Sequence, residues 1–312
     1  MTSVAVCSRS FSAHPVLRAE LLARYPDTRF NDEGASLSGD ELIDFIGNAE
    51  KAVVALEVLN AQIIARLPKL KVVGKYGVGL DKIDLHALAD AGIRLGWTPG
   101  VNRRSVAELV ISLAIAMLRQ IPYATSEIKA GRWRQHSGRL LSGQTVGVVG
   151  CGNVGKDLIK LLQPFGCRIL VNDIAERREF CQEHDAREVS LAQLVEQADI
   201  ISLHVPLNDT TRNLFSRDVL ETMKSSSILI NTARGGIVDE QALLEVLEKN
   251  PLRAAAFDVF ASEPMYDDRF LSLPNFVATP HIGGSSVEAV LAMGRAAING
   301  LDSAIDAVNF IE

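Results

Sequence analysis

The chain has 312 residues, of which 47% are hydrophobic and 22% charged, and a formal net charge of -6 at pH 7. This length exceeds what one hydrophobic core usually serves, which favours two domains. The acidic balance argues against broad nucleic-acid binding, because that function needs a basic face. It leaves room for a small anionic substrate that a few local arginines bind.

The first residues, MTSVAVCSRS, lack the long apolar core of a signal peptide, so we expect none. The longest apolar-rich run, LVISLAIAML at 109–118, is too short to span a bilayer. The four cysteines show no paired short spacing, which predicts a reducing compartment and no metal site. We therefore expect a cytoplasmic protein that binds neither nucleic acid nor membrane.

Short apolar runs alternate with helix-length amphipathic stretches, a rhythm typical of parallel sheets covered by helices. The first strand candidates are SVAVCS, KAVVAL, KVVGKY and IRLGWT. Thr98-Pro99-Gly100 then marks a join, and a mostly apolar helix from about Ser105 to Gln120 is predicted to be buried, within one chain or at a subunit interface. The later strand candidates are TVGVVG, CRILVN, DIISLHV, SILINT, AAAFDV and FVATP. A last helix is predicted over Ser285–Val308, and it can fold back onto the first domain.

The segment TVGVVGCGNVGKDLIKLLQPFGCRILVND predicts a strand, a glycine turn, a helix and a second strand that ends in an acid. Gly150 permits the tight turn, Gly152 lets the backbone approach a pyrophosphate, and Gly155 lets helix and strand pack closely. The helix N-terminus offers N–H groups to the phosphates. Asp173 can accept hydrogen bonds from the ribose hydroxyls and would repel a 2′-phosphate. The segment therefore predicts NAD rather than NADP, with a plain βαβ turn as the alternative.

Three later stretches place polar residues after predicted strands, where open α/β sheets bind ligands. Arg234 in SILINTARGGIVDE offers a planar, two-pronged donor to a carboxylate, although a solvated or capping arginine is the alternative. AAAFDVFASEP supplies Asp258 and Glu263, and FVATPHIGG supplies His281; taken singly, these are more typical of structural roles. Together they are the parts needed for hydride transfer to a 2-keto acid, with the histidine as proton carrier. No G-x-S-x-G elbow supports a hydrolase.

In the first half of the chain, KYGVGLDKID places Gly77, Val78 and Gly79 at a strand end. Backbone N–H groups in such a glycine loop can form an anion nest. An ordinary strand-to-helix turn fits these residues equally well without the rest of the chain.

Taken together, NTARGGIVDEQALLEVL, AAAFDVFASEP, TPHIGGSS and VGKYGVGLDKIDL resemble the D-isomer-specific 2-hydroxyacid dehydrogenase family, and within it the phosphoglycerate dehydrogenase branch. RQIPYATSEIKAGRW also looks like that branch, and the resemblance covers nearly the whole chain. It implies an α/β fold with two Rossmann-like, doubly wound parallel-sheet domains. These are a flavodoxin-like substrate domain of residues 1–99 plus 286–312 and an NAD-binding Rossmann domain of residues 100–285. It also implies a homodimer formed through the NAD-binding domain, and we expect no C-terminal regulatory domain after residue 312.

The resemblance also implies roles for individual residues. The active-site trio falls on Arg234, which binds the substrate carboxylate, His281, the general acid/base, and Glu263, the partner of His281. The implied substrate-binding residues are Gly77, Val78, Gly79, Asn102 and Arg234. The implied cofactor-binding residues are Gly150, Gly152, Asn153, Val154, Gly155, Asp173, His204, Val205, Pro206, Thr210, Ala233, Arg234, Asp258 and His281, with Asp258 on the nicotinamide carboxamide.

Two positions depart from the family pattern. Asn153 stands where an arginine is common, so one positive contact to the pyrophosphate is missing. Glu57 in VVALEVLNAQ lies where the branch often carries an arginine near the far end of the substrate. A carboxylate within about 4 Å of a phosphate is unfavourable by about 1–4 kcal/mol. Lys75, Arg103 and Arg104 can compensate or can be solvated, so the sequence leaves the substrate open.

These observations predict an NAD-dependent oxidoreductase that interconverts a small D-2-hydroxy acid and its 2-keto acid, with 3-phosphoglycerate as one candidate. A glyoxylate or hydroxypyruvate reductase is the alternative within the same chemistry. Outside it, the alternative is an NAD-sensing, corepressor-like binding protein with no turnover. Formate or phosphite oxidation is a third reading, and Glu263 argues against formate because formate dehydrogenases of this superfamily carry glutamine there.

Overall fold

In the computed structural model, which describes residues 2–311, the chain divides into two units. The second unit is Arg103–Ser285, and the first unit is formed by the chain before and after it. The chain therefore passes between units after Asn102 and again after Ser285, against predicted boundaries after residues 99 and 285.

The first unit begins with alternating strands and helices, as expected for a parallel sheet. Its strands are β1 (Val4–Val6), β2 (Thr28–Phe30), β3 (Lys51–Val54), β4 (Val72–Lys75) and β5 (Arg94–Gly96). Its helices are α1 (Arg9–Ser12), α2 (Pro15–Arg24), α3 (Gly39–Ile46), α4 (Ala61–Ile64) and α5 (Leu85–Asp90). The side chains of Ser8, Asn60 and Asp84 cap α1, α4 and α5, which fixes where these short helices begin.

The second unit repeats the alternation on a larger scale. Its strands are β6 (Thr145–Val149), β7 (Arg168–Asn172), β8 (Ala186–Glu188), β9 (Ile200–Leu203), β10 (Ile228–Asn231), β11 (Ala254–Phe257) and β12 (Phe276–Ala278). Its helices are α6 (Arg103–Leu118), α7 (Ile121–Lys129), α8 (Asn153–Leu162), α9 (Arg178–Glu183), α10 (Leu191–Gln197), α11 (Arg217–Thr222), α12 (Glu240–Lys249) and α13 (Asp268–Leu271), with a 3-10 turn at Gln163–Phe165. The seven described strands are all parallel, in the order β12-β11-β10-β9-β6-β7-β8.

The sheet of the second unit is buried on both faces, as expected for parallel strands. In β10, Leu229 belongs to one hydrophobic cluster, and its neighbours Ile228 and Ile230 belong to the cluster on the other face. All three side chains are at most 2% exposed. Complete burial of an aliphatic side chain contributes about 1.5–3 kcal/mol, so these strands hold the rigid frame on which the loops stand.

After the second unit the chain returns to the first one. Helix α14 (Val287–Ser303) is followed by strand β13 (Ile305–Asp306), which pairs antiparallel with β5, and by a 3-10 turn at Ala307–Phe310. The first sheet then has the order β13-β5-β4-β3-β1-β2 across the described residues. Helix α14 packs closely on β5, because a Cβ at Gly96 would lie 2.2 Å from the Gly300 carbonyl oxygen. The predicted last helix is therefore shorter than expected, since its C-terminal end pairs as a strand.

Helix α6 covers most of the stretch predicted to be helical from about Ser105 to Gln120. Most of its buried side chains, among them Ala107, Val110 and Leu113, belong to a core cluster of the second unit. Within residues 2–311 no single helix has the length and apolar character to cross a bilayer, and α6 with α7, bent by 59°, meets that test only as a pair.

Candidate active site

The turn between β6 and α8 carries the predicted glycine pattern. Gly150 has a φ of +95°, and a Cβ there would lie 2.6 Å from the His204 carbonyl oxygen. At Gly155 a Cβ would lie 2.1 Å from the Gly150 carbonyl oxygen. A side chain at either position would force the backbone apart, so the turn requires both glycines. At Gly152, by contrast, a Cβ would meet no atom within 4 Å, so this residue borders open space.

This turn fits the pyrophosphate of a dinucleotide. Gly152 is the N-cap residue of α8 and supplies no side chain to cap the helix. The first N–H groups of a helix need acceptors from elsewhere, and the helix dipole favours an anion there. Asn153 and Val154 are the first two residues of α8, beside the open space at Gly152.

Asp173 ties the end of β7 to the glycine turn. Its Oδ2 accepts a hydrogen bond from the Cys151 N–H at 2.6 Å, and its Oδ1 accepts from the Ala175 N–H at 2.8 Å. The Arg177 guanidinium lies 3.4 Å from Oδ1. Burial alone raises the pKa of Asp173, but these donors outweigh it and hold the pKa below its usual value. Asp173 is thus an anion with acceptor capacity left for hydroxyl groups, and Arg177 is a neighbouring cation that sequence reasoning missed.

The strand order of this sheet reverses between β6 and β9. From β6 the chain continues to β7 and β8 on one side, and from β9 it continues to β10, β11 and β12 on the other. Open parallel sheets bind ligands at such a topological switch point. His204 follows β9, and its carbonyl oxygen is the atom that a side chain at Gly150 would strike. Its Nε2 lies 2.8 Å from the hydroxyl oxygen of the buried Ser202. Burial lowers the pKa of His204 to about 3, so the imidazole is neutral. The other cofactor residues predicted here lie in the same loop: Val205, Pro206 and Thr210.

Strands β10, β11 and β12 lie side by side and parallel, so their carboxyl ends meet at one edge of the sheet. The residues predicted to be catalytic follow these ends: Arg234 follows β10, Asp258 and Glu263 follow β11, and His281 follows β12. The topology therefore brings these loops together although they are distant in sequence.

The Arg234 loop is shaped by Asn231. The Asn231 side chain donates to the Arg234 carbonyl oxygen at 2.9 Å and accepts from the Ala233 N–H at 3.1 Å. The Arg234 guanidinium donates to the Ala233 carbonyl oxygen at 2.7 Å. Gly235 lies directly on the loop after β11, because a Cβ there would lie 1.9 Å from the carbonyl carbon of Phe260. The loop with Arg234 therefore packs against the loop with Glu263.

Asp258 holds the loop that carries His281. It is 1% exposed, and its carboxylate accepts hydrogen bonds from the Thr279 hydroxyl at 2.6 Å, the Ile282 N–H at 2.8 Å and the Gly283 N–H at 2.7 Å. Its carbonyl oxygen accepts from the His281 N–H at 2.9 Å. His281 itself has a φ of +56°, an uncommon conformation for a residue with a side chain. These bonds keep the loop in that conformation.

His281 and Glu263 form a direct pair. His281 Nδ1 lies 2.9 Å from Glu263 Oε2, and the side chains are 47% and 38% exposed. Glu263 Oε1 accepts from the Phe260 N–H at 3.1 Å, which fixes the carboxylate. Because Nδ1 is engaged, Nε2 is the nitrogen that remains for proton exchange with a ligand.

Sequence reasoning missed Glu240, the first residue of α12. Its Oε1 accepts from the Ala261 N–H at 2.7 Å, so it supports the loop that carries Glu263. Burial raises the pKa of Glu240, and the negative charge of Glu263 raises it further. An acid at a helix start is a common feature, so the sequence gave no signal that this one contacts the β11 loop.

The remaining predicted substrate residues belong to the first unit. Gly77, Val78 and Gly79 follow β4, and Gly77 has a φ of +128°. The Val78 carbonyl oxygen accepts from the Trp97 ring N–H at 3.0 Å, which fixes this loop on its own sheet. Asn102 is the last residue of the first unit before α6.

Residues 111–283 match the family model of the D-isomer specific 2-hydroxyacid dehydrogenase, NAD binding domain. The chain belongs to the D-isomer specific 2-hydroxyacid dehydrogenase family. This match confirms the predicted family and NAD as the cofactor, which the glycine turn and Asp173 also fit. The roles of individual residues stay predictions.

Two relatives that are 39% identical to this chain support the family assignment. The D-3-phosphoglycerate dehydrogenase of Methanocaldococcus jannaschii is 39% identical over 262 residues, which cover 83% of this chain and 50% of that protein. The hydroxypyruvate reductase of Thermotoga maritima is 39% identical over 264 residues, which cover 83% of this chain and 85% of that protein. The chain thus spans about half the length of the first relative.

A solved structure shows the same fold. The glyoxylate reductase from Paecilomyes thermophila matches 97% of this chain and 95% of its own, with a TM-score of 0.85 and 26% identity. The predicted fold class, two Rossmann-like domains with parallel sheets, is therefore confirmed. It differs in detail at β13, which is antiparallel to its neighbour.

Proposed function

We propose that this chain is an NAD-dependent oxidoreductase that interconverts a small D-2-hydroxy acid and its 2-keto acid. The observation that carries the proposal is the His281–Glu263 pair at the same sheet edge as the Arg234 loop. In the reductive direction a hydride adds to C2 and a proton to its oxygen, so keto acid, NADH and H⁺ give hydroxy acid and NAD⁺. The bound nicotinamide supplies the hydride.

His281 supplies the proton in this proposal. Protonated His281 donates from Nε2 to the carbonyl oxygen, and neutral His281 takes the proton back in the oxidative direction. Glu263 accepts the hydrogen bond from Nδ1–H, which orients the ring and stabilises its charged form. Proton transfer by a positioned group of this kind contributes about 10²–10⁴-fold to the rate.

Arg234 binds the substrate carboxylate in this proposal. Its guanidinium is permanently charged and planar, which suits a two-pronged interaction with a carboxylate. Gly77, Val78, Gly79 and Asn102 are proposed as further substrate contacts on the first unit. Removal of the guanidinium in Arg234→Ala is therefore expected to raise KM for the keto acid and to lower kcat.

The cofactor contacts that we propose all lie in the second unit. We propose that the glycine turn and the start of α8 hold the pyrophosphate, and that Asp173 holds the ribose hydroxyls. His204, Val205, Pro206, Thr210 and Ala233 are proposed to line the cofactor. The carboxylate of Asp258 has three of its roughly four acceptor positions occupied, which leaves one for the nicotinamide carboxamide.

A panel of 2-keto acids with NADH, followed at the nicotinamide absorbance, tests the function. Glyoxylate, hydroxypyruvate and 3-phosphohydroxypyruvate are included, since relatives are named for glyoxylate, hydroxypyruvate and D-3-phosphoglycerate. We expect turnover of at least one acid, and in His281→Asn a loss of kcat of about 10²-fold or more with NADH binding retained. Tight NADH binding with no turnover of any acid would contradict the proposal and favour an NAD-sensing binding protein.

We also propose a homodimer formed through the NAD-binding unit. Residues 121–140 of that unit carry exposed apolar side chains: Ile121 (48%), Ile128 (56%), Trp133 (89%) and Leu140 (68%). Exposed apolar surface of this kind is typical of an interface. Light scattering of the purified protein measures its mass and so distinguishes a dimer from a monomer. The Trp133→Glu variant tests whether these exposed side chains form the interface, because it should then have the mass of a monomer.

The predicted cytoplasmic location remains a proposal. Within residues 2–311 the four cysteines are all free thiols, and three of them are buried. Free thiols are typical of proteins kept in a reducing compartment. Fractionation of the native host tests this location.

A further inference from the structure

The segment between β11 and α13 carries Glu263 and has no regular secondary structure. Within residues 2–311, its residues 260–266 take part in no hydrogen bond between two backbone groups. Residues 261–264 are also exposed. Exposed backbone without such bonds is the part of a protein that opens most easily. The position of Glu263 therefore depends on contacts that other parts of the second unit make with this segment.

Across the described residues, one hydrogen bond ties the backbone of this segment to another element. The Ala261 N–H donates to Oε1 of Glu240, the first residue of α12, at 2.7 Å. The Phe260 N–H donates to Glu263 Oε1 at 3.1 Å, but both groups belong to the segment itself. Of these two bonds, the one to Glu240 is therefore the one that fixes the segment relative to the sheet.

Helix α12 starts at a fixed point of the second unit. Asp239 caps it by accepting a hydrogen bond from the Ala242 N–H at 2.9 Å. The Asp239 N–H donates to the carbonyl oxygen of the fully buried Phe215 at 3.1 Å. Glu240 is the next residue, so its carboxylate is offered to the segment from a rigid position.

The Phe260–Ala261 peptide also contacts Gly235, which lies on the same connection from β10 to α12 as Glu240. A Cβ at Gly235 would lie 1.9 Å from the Phe260 carbonyl carbon and 2.3 Å from the Ala261 nitrogen. Packing against Gly235 limits how closely the segment approaches, and the bond to Glu240 holds it at that distance. The two contacts together set the place from which Glu263 reaches its partner.

The environment of Glu240 does not favour a carboxylate for stability alone. Glu240 is half-buried, and within residues 2–311 no cation pairs with it, whereas Glu245 on the same helix pairs with Arg217 at 2.9 Å. Burial raises the pKa of Glu240, and the negative charge of Glu263 raises it further. A carboxylate in such a place lowers the stability of the fold at neutral pH. The use that the geometry gives to Glu240 is control over the position of Glu263.

We propose that Glu240 is a positioning residue for the pair of Glu263 and His281. Through the Ala261 N–H it holds Glu263 within reach of the imidazole, whose Nδ1 lies 2.9 Å from Glu263 Oε2, and so contributes to kcat and not to binding. This role rests on the proposed function and deepens it, because it names a residue on which the proposed proton transfer depends. A displacement of about 1 Å at a reacting group can cost about 10²-fold in rate.

The test compares substitutions of Glu240 with a matched control on the same helix. Glu240→Ala removes the acceptor of the Ala261 N–H, whereas Glu240→Gln removes the charge and keeps an acceptor oxygen. Glu245→Ala is the control, because Glu245 is also half-buried and pairs with Arg217 rather than with the segment. For each protein we measure kcat and KM for the 2-keto acid that the wild type reduces best, the Kd of NADH from fluorescence, and Tm.

We expect Glu240→Ala to lower kcat about tenfold or more and to leave KM and the Kd of NADH within about twofold of the wild type. Glu240→Gln should restore kcat to within about threefold, and Glu245→Ala should leave it within about twofold. A wild-type kcat in Glu240→Ala, or an equal loss in Glu240→Gln, would overturn the proposal. If Glu240→Ala melts below the assay temperature, Glu240→Asp replaces it, because a side chain one CH₂ shorter withdraws the oxygens from the Ala261 N–H.

A double-mutant cycle measures whether Glu240 acts through Glu263. In the Glu263→Ala background the carboxylate beside His281 is gone, so adding Glu240→Ala should lower kcat by no more than about twofold. A further loss as large as that in the wild-type background would show that the two residues act independently, and it would overturn the proposal.

Failure of this role is distinguishable from failure of the proposed function. If the wild type turns over no 2-keto acid at all, the proposed function itself fails. If the wild type is active and Glu240→Ala has the same kcat, the reductase stands and only the role of Glu240 is lost.

Discussion

Replacing Asp258 by asparagine separates two roles that its carboxylate can have. The carboxylate accepts three hydrogen bonds, from Thr279, Ile282 and Gly283, and is 1% exposed. Asparagine has the same shape but one acceptor oxygen. If that oxygen retains the bonds to Thr279 and Ile282, the amide NH₂ faces the Gly283 N–H. A buried donor then faces a donor and loses its acceptor.

The cost can be worked out from this geometry. A buried N–H without an acceptor costs about 1–3 kcal/mol. In a domain of 150–250 residues each kcal/mol lowers Tm by about 2–4 °C, so the expected loss is about 2–12 °C. The same bonds hold the loop in which His281 has a φ of +56°. A displacement of about 1 Å at a reacting group can cost about 10²-fold, so we expect kcat to fall by about 10- to 100-fold.

Three measurements decide between the roles of Asp258: the thermal midpoint, kcat, and the Kd of NADH from a fluorescence titration. A positioning role lowers Tm and kcat and leaves the Kd nearly unchanged, whereas a contact to the carboxamide alone weakens NADH binding at constant Tm. Asp239→Asn is the control, because Asp239 caps α12 through the Ala242 N–H at 2.9 Å and asparagine caps equally well. An Asp258 variant with wild-type Tm and wild-type kcat would refute the reasoning.

Two further substitutions test the cofactor and the proton carrier. Asp173→Ala leaves the neighbouring Arg177 without this carboxylate. The kcat/KM for NADPH relative to NADH should therefore rise about tenfold or more, because the charge that repels a 2′-phosphate is gone. An unaltered ratio would contradict the contact between Asp173 and the ribose. Glu263→Gln takes the negative charge from beside His281, so kcat for reduction should fall. A kcat equal to that of the wild type would speak against the pairing.

The parts of the fold that were predictable are those that local sequence encodes. The strands of the second unit are buried on both faces, so each appears as a continuous apolar run between turn residues. The glycine turn was predictable because its spacing follows from backbone geometry within a few residues: Gly150 needs a left-handed φ, and Gly155 lies against the Gly150 carbonyl.

In the sheets that the structure describes, three of the four edge strands were not predictable, whereas the fourth, β12, was predicted from FVATP. Strands β2 and β8 have three residues each and β13 has two, and apart from the buried Phe30 their side chains are exposed or half-buried. Such strands are held by hydrogen bonds to a neighbouring strand that is distant in sequence, so their own residues show little apolar alternation. The last predicted helix was too long for this reason, because Ile305 and Asp306 pair with β5.

The residues of the candidate site likewise fall into those that the sequence could predict and those that it could not. Arg234 and His281 could be found because guanidinium and imidazole have few substitutes in this chemistry. The role of Glu240 could not, since its bond to the Ala261 N–H joins residues brought together only by the pairing of β10 with β11. Arg177 was missed because a cation four residues after Asp173 is equally typical of a solvated helix.

At Gly235 the identity of a single residue is set by a contact with a loop that is distant in sequence. A pair of glycines follows Arg234, and a Cβ at Gly235 would lie 1.9 Å from the carbonyl carbon of Phe260. Glycine is therefore required there by the neighbouring loop rather than by a ligand. Because Glu263 accepts from the Phe260 N–H, the same contact sets the distance between the Arg234 loop and the partner of His281. The chemistry proposed for the polar residues thus depends on a position that carries no side chain at all.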